Sequence, residues 1–187
     1  WLIETDLVAQ NAVNVTQLIR DSQAALSENK TADAETLAKR AVDMDAAHPP
    51  AWRQYGFALM RNGKSQDAAA ALQRSVALDE KDASAWRGLA LVEWRTHHTN
   101  DAVRAQSAYL RLKPEDASGW RDLATWLTQL QRGDQAVSAL ERVVELKPDD
   151  LSAWRELGAW RIRLTRFEPG VAALERVVKA KPDEISA

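Results

Sequence analysis

Residues 151–184 read LSAWRELGAWRIRLTRFEPGVAALERVVKAKPDE, a segment in which two helical patterns follow one another. Trp154, Leu157 and Gly158 are spaced at i, i+3 and i+4, which places them on one face of a helix. A break follows near residues 165–166, and Lys-Pro-Asp closes the segment because proline cannot continue a helix. The second apolar stripe consists of Val171, Leu174, Val177 and Val178. The segment therefore predicts a helix–turn–helix unit.

This unit recurs along the chain with a constant period and no insertion. A tryptophan followed by an arginine marks each copy, and the four evenly spaced tryptophans are Trp52, Trp86, Trp120 and Trp154. A small residue keeps the same spacing, at Ala68, Ala102, Ala136 and Gly170. The breaks between the two helices of the earlier copies are predicted at 62–63, 99–100 and 133. A constant period of this length indicates stacked helical repeats.

The recurring pattern resembles the tetratricopeptide repeat, a helix–turn–helix of roughly 34 residues with W-x2-L-[GA], a small residue before the second helix and a closing proline. The matching stretches are Trp52–Gly56, Trp86–Ala90, Trp120–Ala124 and Trp154–Gly158. The resemblance implies an all-α fold, a right-handed superhelical solenoid of antiparallel helix pairs. Gln106 stands where the family usually has an aromatic residue, which predicts that the second copy is looser or turned outward.

The repeat divides the chain into segments. We expect an N-terminal helical segment or cap at 1–14, a degenerate repeat at 15–48, and four repeats at 49–82, 83–116, 117–150 and 151–184. The degenerate repeat predicts one helix within 15–29 and another at 32–45. Residues 185–187 repeat the sequence pattern of residues 151–153. We therefore expect them to begin a truncated fifth repeat, and the chain to be a piece of a longer protein.

Composition and charge argue against several classes of function. The chain of 187 residues carries 25 basic and 27 acidic side chains, so we expect no attraction to nucleic acid as a partner. No run of 18 apolar residues is present, so direct membrane insertion is not expected. The sequence contains no cysteine, which excludes disulfides and thiolate metal sites.

The candidate catalytic motifs are weak. His97 and His98 are adjacent, so they point about 100° apart on a helix and predict a turn rather than a metal site. Residues 62–65, Asn-Gly-Lys-Ser, resemble the end of a phosphate loop, but Ala58 stands where the first glycine is needed. We expect a turn there, with Ser65 as a helix cap. With no acid pair or Ser/His/Asp set, the sequence predicts a protein that is not an enzyme and that binds no cofactor or metal.

An arginine follows each repeat tryptophan by one residue, about 100° away from the predicted buried stripe. The family resemblance implies that this side of each first helix lines a concave groove that binds extended peptides. The predicted groove residues are Arg53, Phe57, Met60, Arg61, Arg87, Leu91, Trp94, Arg95, Arg121, Thr125, Arg155, Ile162 and Arg163. A basic groove with apolar positions favours an acidic, partly apolar segment as ligand. Trp126 and Trp160, in contrast, are expected to pack between neighbouring units.

An alternative interpretation is that the arginines pair with acids of neighbouring units, such as Asp122 and Glu156. The leading hypothesis is a non-catalytic interaction module of a larger protein, with a protein or peptide as its partner. The alternatives are a rigid spacer or assembly scaffold, and an accessory array of a bacterial secretion or polysaccharide-export protein or of a fused glycosyl- or sulfotransferase. The resemblance is compatible with a soluble compartment, either the bacterial cytoplasm or the periplasm.

Overall fold

The structure is a computed structural model that describes the backbone of residues 2–180 and the side chains of residues 14–180. All regular elements in this part of the chain are α-helices, ten in number, so the predicted all-α class is confirmed. None of these helices has both the length and the apolar composition that crossing a membrane requires. The chain divides into two compact units, Trp1–Leu112 and Lys113–Ala187, which are described in turn.

The first unit contains six helices arranged as three hairpins. Their bounds are α1 Leu2–Ser27, α2 Thr31–Met44, α3 Pro49–Arg61, α4 Ser65–Leu78, α5 Ala83–Arg95 and α6 Thr99–Leu112. Each odd-numbered helix packs against the helix that follows it, and α3 also contacts α1 and α5. The first helices of successive hairpins therefore lie side by side in this unit.

The second unit contains two further hairpins. Their helices are α7 Ala117–Gln129, α8 Gly133–Leu146, α9 Leu151–Arg163 and α10 Phe167–Ala180. Helix α8 packs against both α7 and α9, so the two hairpins are stacked. Residues 185–187, predicted to begin another repeat, lie outside the described residues.

The N-terminal prediction needs a correction. Two helices were expected, one over residues 1–14 and one within 15–29, but α1 is continuous from Leu2 to Ser27. No glycine or proline occurs between residues 2 and 27, so nothing in the sequence interrupts the backbone hydrogen bonds of the helix. The predicted helix at 32–45 corresponds to α2, Thr31–Met44.

The turn inside each hairpin has one recurring conformation. The residues with positive φ recur with the period of the repeat, and they are Asn29, Gly63, His97, Gln131 and Thr165. In the second hairpin of the first unit, the N–H of Lys64 donates to the carbonyl of Leu59 at 3.0 Å, the long bond of a Schellman motif. The same bond closes the other four turns.

This conformation explains why two of the breaks were predicted at the wrong residues, and the predicted cap at Ser65 is wrong as well. The breaks expected at 99–100 and 133 occur earlier, at 96–98 and 130–132, because His97 and Gln131 hold the left-handed position that glycine usually takes. Ser65 does not cap α4. The helix begins at Ser65 itself, and the preceding N-cap residue, Lys64, makes no side-chain capping bond.

Small residues allow the two helices of each hairpin to approach closely. The predicted small positions, Ala68, Ala102, Ala136 and Gly170, are all buried. A Cβ atom built on Gly158 would lie 3.0 Å from the carbonyl oxygen of Gly170 and 2.7 Å from Cγ of Leu174. Gln106 is also buried, so the prediction that its copy turns outward is wrong. Its long side chain occupies the position that Leu72 and Leu140 fill in other copies.

Candidate functional site

The repeat tryptophans hold the loops that precede them. Each is half-buried rather than part of the buried stripe that the sequence predicted. Each indole N–H donates to the carbonyl of the residue six positions earlier. The four pairs are Trp52–Ala46 at 2.8 Å, Trp86–Glu80 at 2.9 Å, Trp120–Pro114 at 3.0 Å and Trp154–Pro148 at 3.0 Å. The tryptophan therefore fixes the connection between one hairpin and the next.

The arginines that follow these tryptophans connect successive hairpins. In the first unit, Arg53 forms an ion pair with Asp82, which also caps α5 by accepting the N–H of Ala85 at 3.1 Å. In the second unit, Arg121 Nη2 lies 2.8 Å from Asp150 Oδ2, and Asp150 caps α9. The two pairs have the same separation along the sequence. The interpretation that these arginines pair with acids of the neighbouring repeat is therefore confirmed for Arg53 and Arg121.

The arginines of this series also have other surroundings. Arg121 also contacts Glu156 at 3.2 Å and the hydroxyl of Ser152. The guanidinium of Arg87 stacks on the ring of Tyr109, 5.4 Å from its centroid, and donates to its hydroxyl at 3.3 Å. Arg155 is exposed and has no ion pair or hydrogen bond among residues 14–180.

The electrostatics of Asp150 follow from its double role. Burial disfavours the ionised carboxylate, but hydrogen bonds from the Ser152 hydroxyl and the Ala153 N–H, together with Arg121, favour it more strongly. The pKa of Asp150 is therefore lowered below its ordinary value. The carboxylate is thus ionised near neutral pH and holds both the helix cap and the ion pair.

One predicted groove residue of the first unit is used for packing between hairpins. A Cβ atom on Gly88 of α5 would lie 2.5 Å from Cε1 of Phe57, so the Phe57 ring rests against the backbone of α5. Glycine at this position permits that close approach. Phe57 therefore joins α3 to α5, and only part of its ring remains accessible.

The remaining predicted groove residues of this unit form a partly exposed surface, which we call the α3/α5 face. It consists of Met60, Arg61, Leu91, Trp94 and Arg95. Leu91 is 40% exposed, and Trp94 and Met60 are half-buried. Arg95 is exposed with no ion pair or hydrogen bond among the described residues, and Arg61 makes only a long contact of 3.4 Å with Asn29. The face thus places two accessible cations beside accessible apolar area.

The predicted groove residues of the second unit are more dispersed. Thr125 is exposed, and its hydroxyl donates to the carbonyl of Arg121 at 2.9 Å. Ile162 packs inside its own hairpin, since a Cβ atom on Gly170 would lie 2.7 Å from its Cγ1. Arg163 lies over the ring of Trp160, 4.7 Å from its centroid. These residues mostly support local packing.

The remaining candidates also have structural roles. His97 and His98 lie in the turn between α5 and α6, as predicted. His98 Nδ1 is 2.9 Å from the buried carboxylate of Glu93, which also accepts a bond of 2.9 Å from Gln73 Nε2. This buried acid was not predicted, because nothing in the sequence distinguishes it from a surface glutamate. Within residues 14–180, no three His, Asp or Glu side chains form a group that could hold a metal ion.

Trp126 and Trp160 are buried, as expected. The Trp160 N–H donates to the hydroxyl of Thr128 at 3.0 Å, and its ring lies 2.9 Å from the Cβ position of Gly133. Trp160 therefore packs α9 against the preceding hairpin, which confirms the predicted role for this residue.

Helical hairpins of constant length, joined by a tryptophan-held loop, define the chain as a helical repeat protein. Two tetratricopeptide repeat models match it, one over residues 25–92 and the other over residues 117–160. Together these matches cover more than half of the sequence. The chain belongs to the tetratricopeptide repeat family. A search of curated protein sequences gives no match.

Solved structures of the same fold resemble it over nearly its whole length. The MamA protein superimposes with a TM-score of 0.75 at 17% identity, covering 92% of this chain and 94% of MamA. MamA from Desulfovibrio magneticus RS-1 gives a TM-score of 0.70 at 17% identity, covering 92% and 97%. YrrB, a repeat protein with an unusual peptide-binding site, gives 0.75 at 16% identity, covering 96% and 92%. At such low sequence identities, the similarity to these structures shows only that the fold is shared.

Proposed function

We propose that the chain is a non-catalytic protein-interaction module that binds an extended, acidic and partly apolar segment on the α3/α5 face. The observation that carries this proposal is the exposure of Leu91 beside Arg95, a cation with no ion pair among the described residues. Leu91, Trp94 and Arg95 are spaced at i, i+3 and i+4, so they share one side of α5.

The chemistry of this face suits such a ligand. A guanidinium binds carboxylates through a planar pair of donors, and a charge-assisted hydrogen bond contributes about 1.5–3 kcal/mol. A half-exposed tryptophan offers a rigid apolar surface, and tryptophan and arginine are the residues that most often dominate binding energy at interfaces. Arg61 on α3 and Arg95 on α5 would contact acidic residues, while Met60, Leu91 and Trp94 would contact apolar ones.

The comparisons give this proposal a precedent. The family resemblance implies that the first helices of the repeats present their side chains to partners. The solved structure of YrrB is described as having a peptide-binding site. Carrying a peptide ligand over to this chain is part of the proposal. An accessory role beside an enzymatic or export domain is compatible with the same binding face.

A rigid spacer is the second candidate, and a specific observation favours it. The ion pairs Arg53–Asp82 and Arg121–Asp150 each connect an arginine of one hairpin to the helix cap of the next. Arginines held in this way are poorly available to a ligand. On this reading the arginine series stiffens the array, and the α3/α5 face binds nothing.

A peptide-array selection separates the two candidates. The chain would be incubated with immobilised dodecapeptides of varied sequence at low and at high salt. The proposal predicts enrichment of peptides that carry both acidic and apolar residues. Binding should weaken as salt rises, because exposed charges are screened.

Charge-reversal variants locate the binding surface. Arg61→Glu with Arg95→Glu should weaken the selected peptides at least tenfold. The matched control is Arg74→Glu with Arg111→Glu, which reverses two exposed arginines on the second helices of the same hairpins. Equal loss in both double variants would mean non-specific charge attraction, and the absence of any selected peptide would favour the spacer.

A further inference from the structure

Arginine is the last residue of the first helix in three of the described hairpins. These arginines are Arg61 of α3, Arg95 of α5 and Arg163 of α9. Two of them contact the left-handed turn residue of the preceding hairpin. Arg61 Nη2 donates to Asn29 Oδ1 at 3.4 Å, and Arg163 Nη1 donates to Gln131 Oε1 at 3.4 Å. The side chain in the turn therefore supplies an acceptor for the arginine of the next hairpin.

Gly63 removes this acceptor for Arg95. It precedes Arg95 by the same 32 residues that separate Asn29 from Arg61, and it has the left-handed φ of 75°. A Cβ atom built on Gly63 would have no atom within 4 Å, so the space that a turn side chain would enter is open. Arg95 is exposed and has no ion pair or hydrogen bond among the described residues. Its donors are therefore available to a ligand.

The separation of Arg61 and Arg95 follows from the packing of α3 on α5. The Phe57 ring of α3 rests against the backbone of α5 at Gly88, so the two helices are in direct contact. Each arginine is the last residue of its helix, and the helices are first helices of successive hairpins. Packed helices lie about 8–10 Å apart, so two carboxylates of one ligand are best placed for both arginines at about the same separation.

The conformation of an extended ligand decides which of its residues have this separation. In a β-strand, residues two apart share a face at about 7 Å, and residues four apart share it at about 13–14 Å. A polyproline II helix has three residues per turn and rises about 3.1 Å per residue, so residues three apart lie on one side at about 9 Å. The packing distance of α3 and α5 therefore favours a polyproline II ligand over a β-strand.

We propose that the α3/α5 face selects a polyproline II segment with two acidic residues three positions apart, and that Gly63 determines this specificity by leaving Arg95 available. One carboxylate binds Arg95, in place of the acceptor that other turns provide. The second carboxylate binds Arg61, whose contact with Asn29 is long. This inference rests on the proposed function and adds the spacing and the conformation of the ligand.

The spacing is tested with labelled dodecapeptides of one composition. Each contains two glutamates and two leucines among serines, and the glutamates stand two, three or five positions apart. Fluorescence anisotropy would be followed as the 187-residue chain is added. The peptide with glutamates three apart should bind at least fivefold more tightly than the other two. Prolines between these glutamates should preserve or raise the affinity, because proline favours the polyproline II conformation.

Variants of Gly63 test the source of the specificity. Asparagine tolerates this backbone, since Asn29 occupies the equivalent position with φ of 60°. Gly63→Asn should therefore weaken the best peptide about threefold, and Gly63→Asp, whose carboxylate pairs with Arg95, at least tenfold. Gly63→Ala is the matched control, because it imposes the same backbone strain without an acceptor, and it should leave the affinity within about twofold. Circular dichroism would confirm that the variants remain helical.

A double-variant cycle separates this effect from general charge repulsion. Arg95→Ala should weaken the peptide at least tenfold. Adding Gly63→Asp to Arg95→Ala should then change the affinity by less than about twofold, because the arginine that the aspartate occupies is gone. A further tenfold loss would overturn the role of Gly63, because the new charge would then repel the peptide without acting through Arg95.

Failure of this inference can be told apart from failure of the proposed function. Equal affinities for the three spacings, or equal effects of Gly63→Ala and Gly63→Asp, would overturn the inference. Binding of these peptides that still depends on Arg61 and Arg95 would leave the proposed function standing. If none of the three peptides bound, the proposed function and the inference would both be overturned.

Discussion

Arg121 binds the carboxylate of Asp150 at 2.8 Å, and Asp150 at the same time caps the first helix of the next hairpin. One acidic side chain therefore ends a loop, begins a helix and connects two hairpins. The pair Arg53–Asp82 repeats this arrangement in the first unit. The stacking of repeats thus rests on a polar contact of fixed spacing as well as on apolar packing.

Removal of the arginine should loosen the second unit. Arg121→Ala eliminates the contacts with Asp150 and Glu156, and the side chain is only 25% exposed. We expect a loss of about 1–2 kcal/mol in the free energy of unfolding, measured by urea denaturation. Arg111→Ala, at an exposed arginine without a partner among the described residues, should change it by less than about 0.5 kcal/mol. Equal effects would mean that the ion pair contributes nothing.

Acid should weaken the same contact. The pKa of Asp150 is lowered in the folded protein. The contribution of its carboxylate to stability is therefore complete above the pKa of the unfolded chain, about 3.9, and is lost as the pH falls through the lower pKa of the folded protein. Asp150→Asn keeps a capping side chain but cannot titrate. Between about pH 6 and pH 3, the wild type should therefore lose more stability than Asp150→Asn. Parallel pH profiles from urea denaturation would contradict the assignment.

The bond from tryptophan to the preceding loop should be measurable in isolation. Trp86→Phe removes the N–H that donates to Glu80 and part of the buried ring, so we expect a loss of about 1–2 kcal/mol. Tyr55→Phe is the control, since the Tyr55 hydroxyl makes no hydrogen bond within residues 14–180. Thermal denaturation would compare the two. A larger effect of Tyr55→Phe would rule out the proposed role of the indole.

A substitution in the turn of the last described hairpin should increase the stability of the protein. Thr165 is β-branched and has φ of 61°, a conformation that costs a non-glycine residue about 1–2 kcal/mol. Part of the gain is offset by the greater freedom of glycine in the unfolded chain, so Thr165→Gly should stabilise by about 0.5–1 kcal/mol. Thr125→Gly, at an exposed position inside α7, should instead destabilise by about 0.3–0.5 kcal/mol, because threonine is already a poorer helix former than alanine. A lower melting temperature for Thr165→Gly would show that its left-handed backbone is not strained.

The repeat period was sufficient to predict the class of fold, because tryptophan and the small residues recur at constant spacing. The bounds of the helices were predicted less well at the turns of His97 and Gln131, which lack glycine. His97, Gln131 and Thr165 adopt a left-handed backbone conformation that their residue types do not predict. The Schellman hydrogen bonds of the turn impose this conformation. The continuous α1 was missed because a repeat pattern was imposed where no breaker residue exists.

The candidate site was predicted only in part. The spacing of side chains on α5 indicated that Leu91 and Arg95 would share a face, and the structure leaves both exposed. The ion pair of Arg121 was weighed as an alternative, but spacing alone could not decide between an acid of the next hairpin and a ligand. The close contact between Phe57 and Gly88 depends on the distance between α3 and α5, which the sequence does not specify.

The most direct test of the proposed binding face is a titration of a selected peptide against Trp94→Ala, with the thermal denaturation of the same sample. Trp94 is half-buried on α5, one turn from Leu91. We expect at least tenfold weaker binding and a helical, cooperatively unfolding protein. Unchanged affinity together with a large fall in melting temperature would contradict it, because Trp94 would then serve only the packing of the array.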